Sequence, residues 1–200
     1  MNRQFHRIPF FPLGLSIFPG EKAPLRIFES RYRQLITECR ESGMTFGIPF
    51  ISDSRILGIG TEVMLNEVLD VSPEGEMIII IEGLKIFRVT DYIRILPGKL
   101  YGGGEIEYLE TDDYSVNRRL INLVISLDLI TGTSGSKPGY TDNINMIEVA
   151  KSLNLGSRDK YRFLRLIRPD LKERFLIKQL EYRHLLRKQE ELLKKNFVLN

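Results

Sequence analysis

The sequence predicts an α+β protein, with a strand-rich first half carrying one inserted helix and a helical second half. Three observations lead there. Residues 59–71 place Ile, Thr, Val, Leu, Glu, Leu and Val at odd positions, the period of two of a half-buried strand. Residues 29–41 carry apolar side chains at helical spacing, and the same spacing returns in several segments between residues 115 and about 195. At 200 residues, 42% of them hydrophobic, the chain can bury a sizeable core and lies outside the disordered class.

The elements follow in order. Residues 8–13 form a short apolar run interrupted by Pro9 and Pro12, as at a sheet edge or bulge. Residues 24–28 read as a second extended piece. In the helix at 29–41, Phe28, Tyr32, Leu35, Ile36 and Cys39 share a stripe, and Gly43 ends it. This turns Phe28 and Tyr32 inward, the neighbouring arginines outward, and makes Cys39 a core thiol. After the strand at 59–71, Ser72-Pro73-Glu74-Gly75 makes a turn. The β-branched run at 77–81 suits a strand buried on both faces. Residues 82–85 break it, 86–95 resume strand chemistry, and a last strand covers 105–109 after Gly102-Gly103-Gly104.

Beyond a boundary near residues 110–115 the period changes. Val116, Leu120, Leu123, Val124 and Leu127 share a face over 115–130, and a loop rich in Gly, Ser and Thr fills 131–142. Helical spacing returns over 144–153. Ser157 is a plausible N-cap for a short helix to about residue 167, and Pro169-Asp170 opens a final helix to about residue 195. Short helices that cannot bury a stripe alone should form a bundle. The repeated leucines of the last helix also suit pairing with a second helix.

Charge is uneven. Of 29 basic and 26 acidic residues, positions 1–110 hold 12 and 15, a net −3, which leaves 17 and 11, a net +6, for the remainder. The basic half fits a solvated helical face, or an acidic partner or nucleic acid. No apolar run reaches the ~20 residues that cross a bilayer. The apolar segment at 8–18 is broken by proline and glycine and lacks a signal-peptide cleavage site, so a cytoplasmic protein with no membrane attachment is expected.

Catalytic chemistry finds little support. Gly135-Ser136-Lys137 runs into Pro138, Gly98-Lys99 into Leu100, and Gly58-Ile59-Gly60 lacks the third glycine of a dinucleotide fingerprint. Only Cys39, His6 and His184 offer thiol or imidazole, so neither a metal site nor a histidine-assisted nucleophile is expected. Glu82 follows four consecutive isoleucines, Ile78 to Ile81, and reads as a structural acid satisfied at a turn. The aromatic–basic mixture at 26–33 suits base stacking with phosphate pairing, or equally the start of an amphipathic helix. No enzyme, cofactor or metal is predicted.

Ile8-Pro9-Phe10-Phe11-Pro12-Leu13, Phe18-Pro19-Gly20 and Pro24-Leu25-Arg26-Ile27-Phe28-Glu29-Ser30-Arg31-Tyr32 closely resemble the opening of the Lon protease amino-terminal, substrate-binding domain family. Phe46-Gly47-Ile48, Gly58-Ile59-Gly60-Thr61 and Ile81-Glu82-Gly83-Leu84-Lys85-Ile86-Phe87-Arg88-Val89 resemble its later motifs in order. The resemblance implies a PUA-like six-stranded β-barrel with one inserted helix over residues 1–112, then an α-helical bundle over 113–200. It also implies a stand-alone member, because 200 residues leave no space for the family's ATPase and protease domains. Its function would be non-catalytic protein or peptide binding, with unfolded or degron-bearing polypeptides as partners and a protease or chaperone as a possible associate. RNA binding through the basic half is the weaker alternative. Phe11, Phe18 and Tyr32 are the candidate peptide anchors. Pro12 and Pro19 should shape an edge strand and a turn, and Gly60 and Gly83 should permit a bulge or close approach. Glu29, Arg31, Glu82 and Arg88 should join in one polar network.

Overall fold

Alternating and helical patterns resolve, in the computed structural model, into six strands and five helices over the described residues 5–109, 116, 118–126 and 145–198. In chain order these are β1 (His6–Pro9), β2 (Lys22–Ile27), α1 (Ser30–Ser42), β3 (Phe46–Ser52), β4 (Arg55–Val71), β5 (Met77–Ile93), β6 (Gly103–Tyr108), α2 (Arg118–Ser126), α3 (Met146–Ser152), α4 (Ser157–Arg165) and α5 (Pro169–Val198). The strands form one antiparallel sheet in the order β1-β6-β5-β4-β3, with β2 paired to β5 off that path. The chain divides into two units: the sheet with α1 and α4, and α2, α3 and α5.

The expected barrel does not close. Among the described residues β1 and β3 share no ladder, and the chain after β1 meets β3 only at two isolated parallel bridges, Phe10 to Gly47 and Leu13 to Phe50. Proline explains the gap. Pro9 and Pro12 on one side and Pro49 on the other have no N–H to donate. What remains is a strap in which Phe11 N donates to Gly47 O at 2.8 Å and Ile51 N to Leu13 O at 2.9 Å. Strand β3 itself is hidden in the sequence by Gly47 and Pro49, and a register shift separates Pro49 from Ile51.

β5 is one strand of 17 residues, not two. The interruption at residues 82–85 becomes a register shift against β4, where Lys85 faces Glu62 and Gly83 faces Val63. A Cβ on Gly83 would collide with the carbonyl oxygen of Phe18, and one on Gly60 would lie 2.6 Å from the carbonyl of Ile48 and the ring of Phe87. Both glycines are therefore set by close backbone approach.

Ile27, Leu35, Ile36, Phe46, Val63 and Ile79 form the centre of the main core, with Cys39 among them. Each such side chain contributes about 1.5–3 kcal/mol through burial. Burial also pushes the Cys39 thiol up to about 12, so it stays a protonated packing group. α1 begins at Ser30 with Glu29 as its N-cap, which leaves Phe28 outside the helical stripe and 59% exposed rather than inward. Three polar contacts tie α1 to the β5–β6 connection. Glu38 Oε2 accepts from Lys99 Nζ at 2.7 Å and Tyr101 Oη at 2.5 Å, and Gln34 Oε1 accepts from Leu100 N at 2.8 Å. The lysine and tyrosine hydrogen bonds hold the Glu38 carboxyl below the usual carboxylate range.

In the second unit α2 and α3 pack on α5, burying Leu120, Val124, Val149, Ala150, Leu176 and Leu180. Asn145 caps α3, its Oδ1 accepting from Ile147 N at 2.9 Å and Glu148 N at 3.0 Å. The predicted loop at 131–142 lies outside the described residues. Among those described, no helix is long and apolar enough to cross a membrane.

Candidate functional site

The three aromatic residues expected as anchors are placed in the interior. Phe11 stacks on Tyr32 at 3.9 Å between ring centroids, and both are buried. Burial raises the Tyr32 hydroxyl above its ordinary value. Phe18 is fully buried at the head of the Phe18-Pro19-Gly20-Glu21 turn. Glu21 N donates to Phe18 O at 3.0 Å and Gly20 has φ 73°, so Pro19 and Gly20 occupy the two central positions of a type II turn. The Glu21 carboxylate turns back to accept from Phe18 N at 2.9 Å and also pairs with Lys160 of α4. Lys160 Nζ lies 5.4 Å from the Phe18 ring centre, and Phe163 meets that ring edge-on at 5.8 Å. Tyr161 stacks on Phe50 at 4.6 Å and donates to Leu57 O at 2.7 Å. Phe18 thus seats α4 on the sheet.

The expected polar network is three separate contacts. Arg31 pairs with Glu29 at 2.7 Å, within one turn of chain. Glu82 accepts from Asn66 at 3.2 Å and lies 3.7 Å from Lys22, while Arg88 pairs with Glu107 at 3.3 Å. A different titratable group gathers Thr45, Glu62, Lys85, Tyr108 and His6. The Thr45 hydroxyl donates to Glu62 at 2.6 Å, Tyr108 also bonds Glu62, and Lys85 and His6 flank the tyrosine ring at 5.1 and 4.9 Å. Burial and the Glu62 bond push Tyr108 up to about 12. The buried carboxylate is satisfied by its neighbours, as a structural acid should be.

An exposed apolar surface appears where the sequence showed none. Within β5, Met77, Ile79 and Ile81 face the core, but Ile78 is 42% exposed and Ile80 partly so. Cross-strand register sets Ile78 between Arg26 of β2 and Asp70 of β4, Ile80 between Pro24 and Glu67, and Glu82 between Lys22 and Met64. Met64, 39% exposed, shares this outward face. Leu69, 53% exposed, sits at the register shift between Val68 and Asp70. The apolar strip is bounded at one end by Lys22, Glu82 and Asn66, and at the other by Arg26, which donates twice to Glu76 at 2.7 and 3.2 Å. An apolar centre with an ion-paired rim is the anatomy of a protein-docking surface. The missed signal was the run at 77–81 itself. In an antiparallel sheet covered on one face, four isoleucines in succession must put alternate side chains in water.

Among the described residues β2 pairs with β5 alone, and on its other edge Pro24 supplies a carbonyl but no N–H, which limits strand addition there. Among the described residues no group of three or more His, Cys, Asp or Glu could hold a metal ion.

Residues 7–196 match the sequence profile of the ATP-dependent protease La (LON) substrate-binding domain. The fold is similar to the crystal structure of a Lon N-terminal domain protein from Xanthomonas campestris, at 25% identity and a TM-score of 0.67, covering 88% of this chain and 98% of that one. It is also similar to the N-terminal domain of the Mycobacterium avium complex Lon protease, at 12% identity and a TM-score of 0.60, with the same coverages; at that identity the likeness concerns the fold alone.

Proposed function

Because the chain belongs to the Lon substrate-binding domain family, we propose that it is a non-catalytic recognition module that holds extended apolar polypeptide segments on the outward face of β2, β5 and β4. The observation that carries this reading is the exposed Ile78–Ile80 strip with Pro24 and Met64 beside it, bounded by ion pairs. Burying these side chains under a client supplies non-directional affinity, which suits a binder of many unfolded sequences. The ion-paired rim supplies orientation at little energetic gain. Clients would be unfolded or degron-bearing chains in the cytoplasm, with a protease or chaperone as the downstream recipient.

The test is binding of a labelled, permanently unfolded carboxymethylated polypeptide, followed by fluorescence anisotropy. Ile78→Asp with Ile80→Glu places two charges in the strip, and binding should weaken at least about tenfold while the melting temperature moves little. Unchanged affinity in a folded double variant would exclude this face.

A further inference from the structure

α4 carries a second surface that the apolar strip does not use. Its nine residues split cleanly by face. Tyr161, Phe163 and Leu164 are buried, and Lys160, the only lysine of the helix, is turned inward to Glu21 and the Phe18 ring. Arg158, Arg162 and Arg165 are all exposed. Their i, i+4, i+7 spacing puts the three on one side of the helix, about 6 Å and then about 4.5 Å apart along its axis. Arg162 is bonded by Asp159 at 3.1 Å through a pair that is largely solvent-exposed. Neither Arg158 nor Arg165 forms an ion pair among the described residues.

The helix beneath this row is held firmly for its length. The Glu21–Lys160 pair is mostly shielded, with side-chain exposures of 29% and 13%, and two aromatic contacts and the Tyr161–Leu57 hydrogen bond add to it. Three guanidinium groups are therefore presented on a fixed backbone, so a partner need not order the helix before binding.

We infer that the Arg158–Arg162–Arg165 face of α4 is a docking surface for acidic polypeptide segments. Guanidinium groups match carboxylates bidentately, and alternate residues of an extended strand recur every ~6.7 Å, close to the Arg158–Arg162 step. An acidic polypeptide fits better than single-stranded nucleic acid, because Tyr161 and Phe163 point inward and leave no stacking platform beside the arginines. The inference rests on the proposed polypeptide-binding role and adds a charge preference to it: clients with an acidic stretch are favoured.

The experiment measures anisotropy of three labelled probes against the whole chain at 50 and 300 mM salt. The probes are an alternating Glu-Ser peptide, an apolar uncharged peptide and an oligouridylate. The acidic peptide should bind at low salt, weaken at high salt, and lose about tenfold in R158Q/R162Q/R165Q, since each exposed pair contributes roughly a factor of two. The charge-keeping R158K/R162K/R165K variant should bind between the two, keeping the salt dependence but losing the bidentate pairing, and circular dichroism checks that both variants are folded. No acidic-peptide binding, binding unaffected by the glutamine variant, or stronger arginine-dependent capture of the oligouridylate would each overturn the inference. Absence of acidic-peptide binding to the unsubstituted chain, with apolar-peptide binding intact, would sink this surface alone. Failure of the apolar peptide with acidic binding intact would sink the strip on the sheet instead.

Discussion

Replacing Phe18 by alanine separates a structural ring from a binding anchor. Phe18 is fully enclosed, and its ring contacts Phe163 edge-on at 5.8 Å and Lys160 Nζ at 5.4 Å. Truncating a buried phenylalanine costs about 3–5 kcal/mol, most of it transfer and cavity terms. The edge-on ring contact contributes about 1 kcal/mol of that. A loss of about 4 kcal/mol is expected, a large part of the roughly 5–15 kcal/mol that stabilises a domain. The chain has no tryptophan, so urea unfolding is best followed by far-ultraviolet circular dichroism with the denaturant slope checked for constancy. A double-mutant cycle with Phe163→Ala should return a coupling near 1 kcal/mol, because each truncation removes the same contact. α4 should also become the first site of proteolytic cleavage, since the ring that seats it is gone. A loss below about 1 kcal/mol, combined with weakened client binding, would refute this reasoning and make Phe18 an anchor after all.

Two further perturbations read other parts of the molecule. Lys172 is buried in α5, and burial lowers its ammonium to about 8, so between pH 8 and 10.5 the unfolded chain keeps a proton that the folded one has lost. Stability should therefore rise with pH across that window, by up to about 3 kcal/mol, and Lys172→Met should flatten the rise; urea midpoints at pH 7 and 9.5 decide it. Gly83→Ala drives a methyl group into the Phe18 carbonyl and should cost about 1–3 kcal/mol, whereas Gly156→Ala, whose Cβ meets open space, should change little; paired thermal melts give the comparison.

The sequence revealed most where one local rule decided the outcome. The period of two over residues 59–71, the stripe and Gly43 stop of α1, and the proline opening of α5 each follow from backbone chemistry. It revealed least where partners distant in the chain decide. β3 was obscured because Pro49 looks incompatible with a strand, yet a register shift accommodates it. Phe28 falls on the helical stripe by counting, but the helix begins two residues later. The place of α4 on the sheet rests on Lys160, Tyr161 and Phe163 finding Glu21, Phe50 and Phe18, more than one hundred residues earlier. No periodicity encodes such a pairing.

The residues that make the family recognisable and those proposed to bind clients are different sets, for a physical reason. Pro19, Gly20, Gly60 and Gly83 are fixed by a turn, a left-handed φ and backbone approaches that admit no Cβ, and Phe18 fills a closed space. Chemistry permits few alternatives there, so these positions read as motifs. Ile78, Ile80 and Met64 need only be apolar and outward, and Arg158, Arg162 and Arg165 need only be charged and exposed. Many residues satisfy those conditions, so no motif marks them. A scaffold that constrains its interior and leaves its outward faces free can change clients without changing fold. Client preference should therefore follow substitutions on the two outward faces, while substitutions at the motif positions should register first in stability.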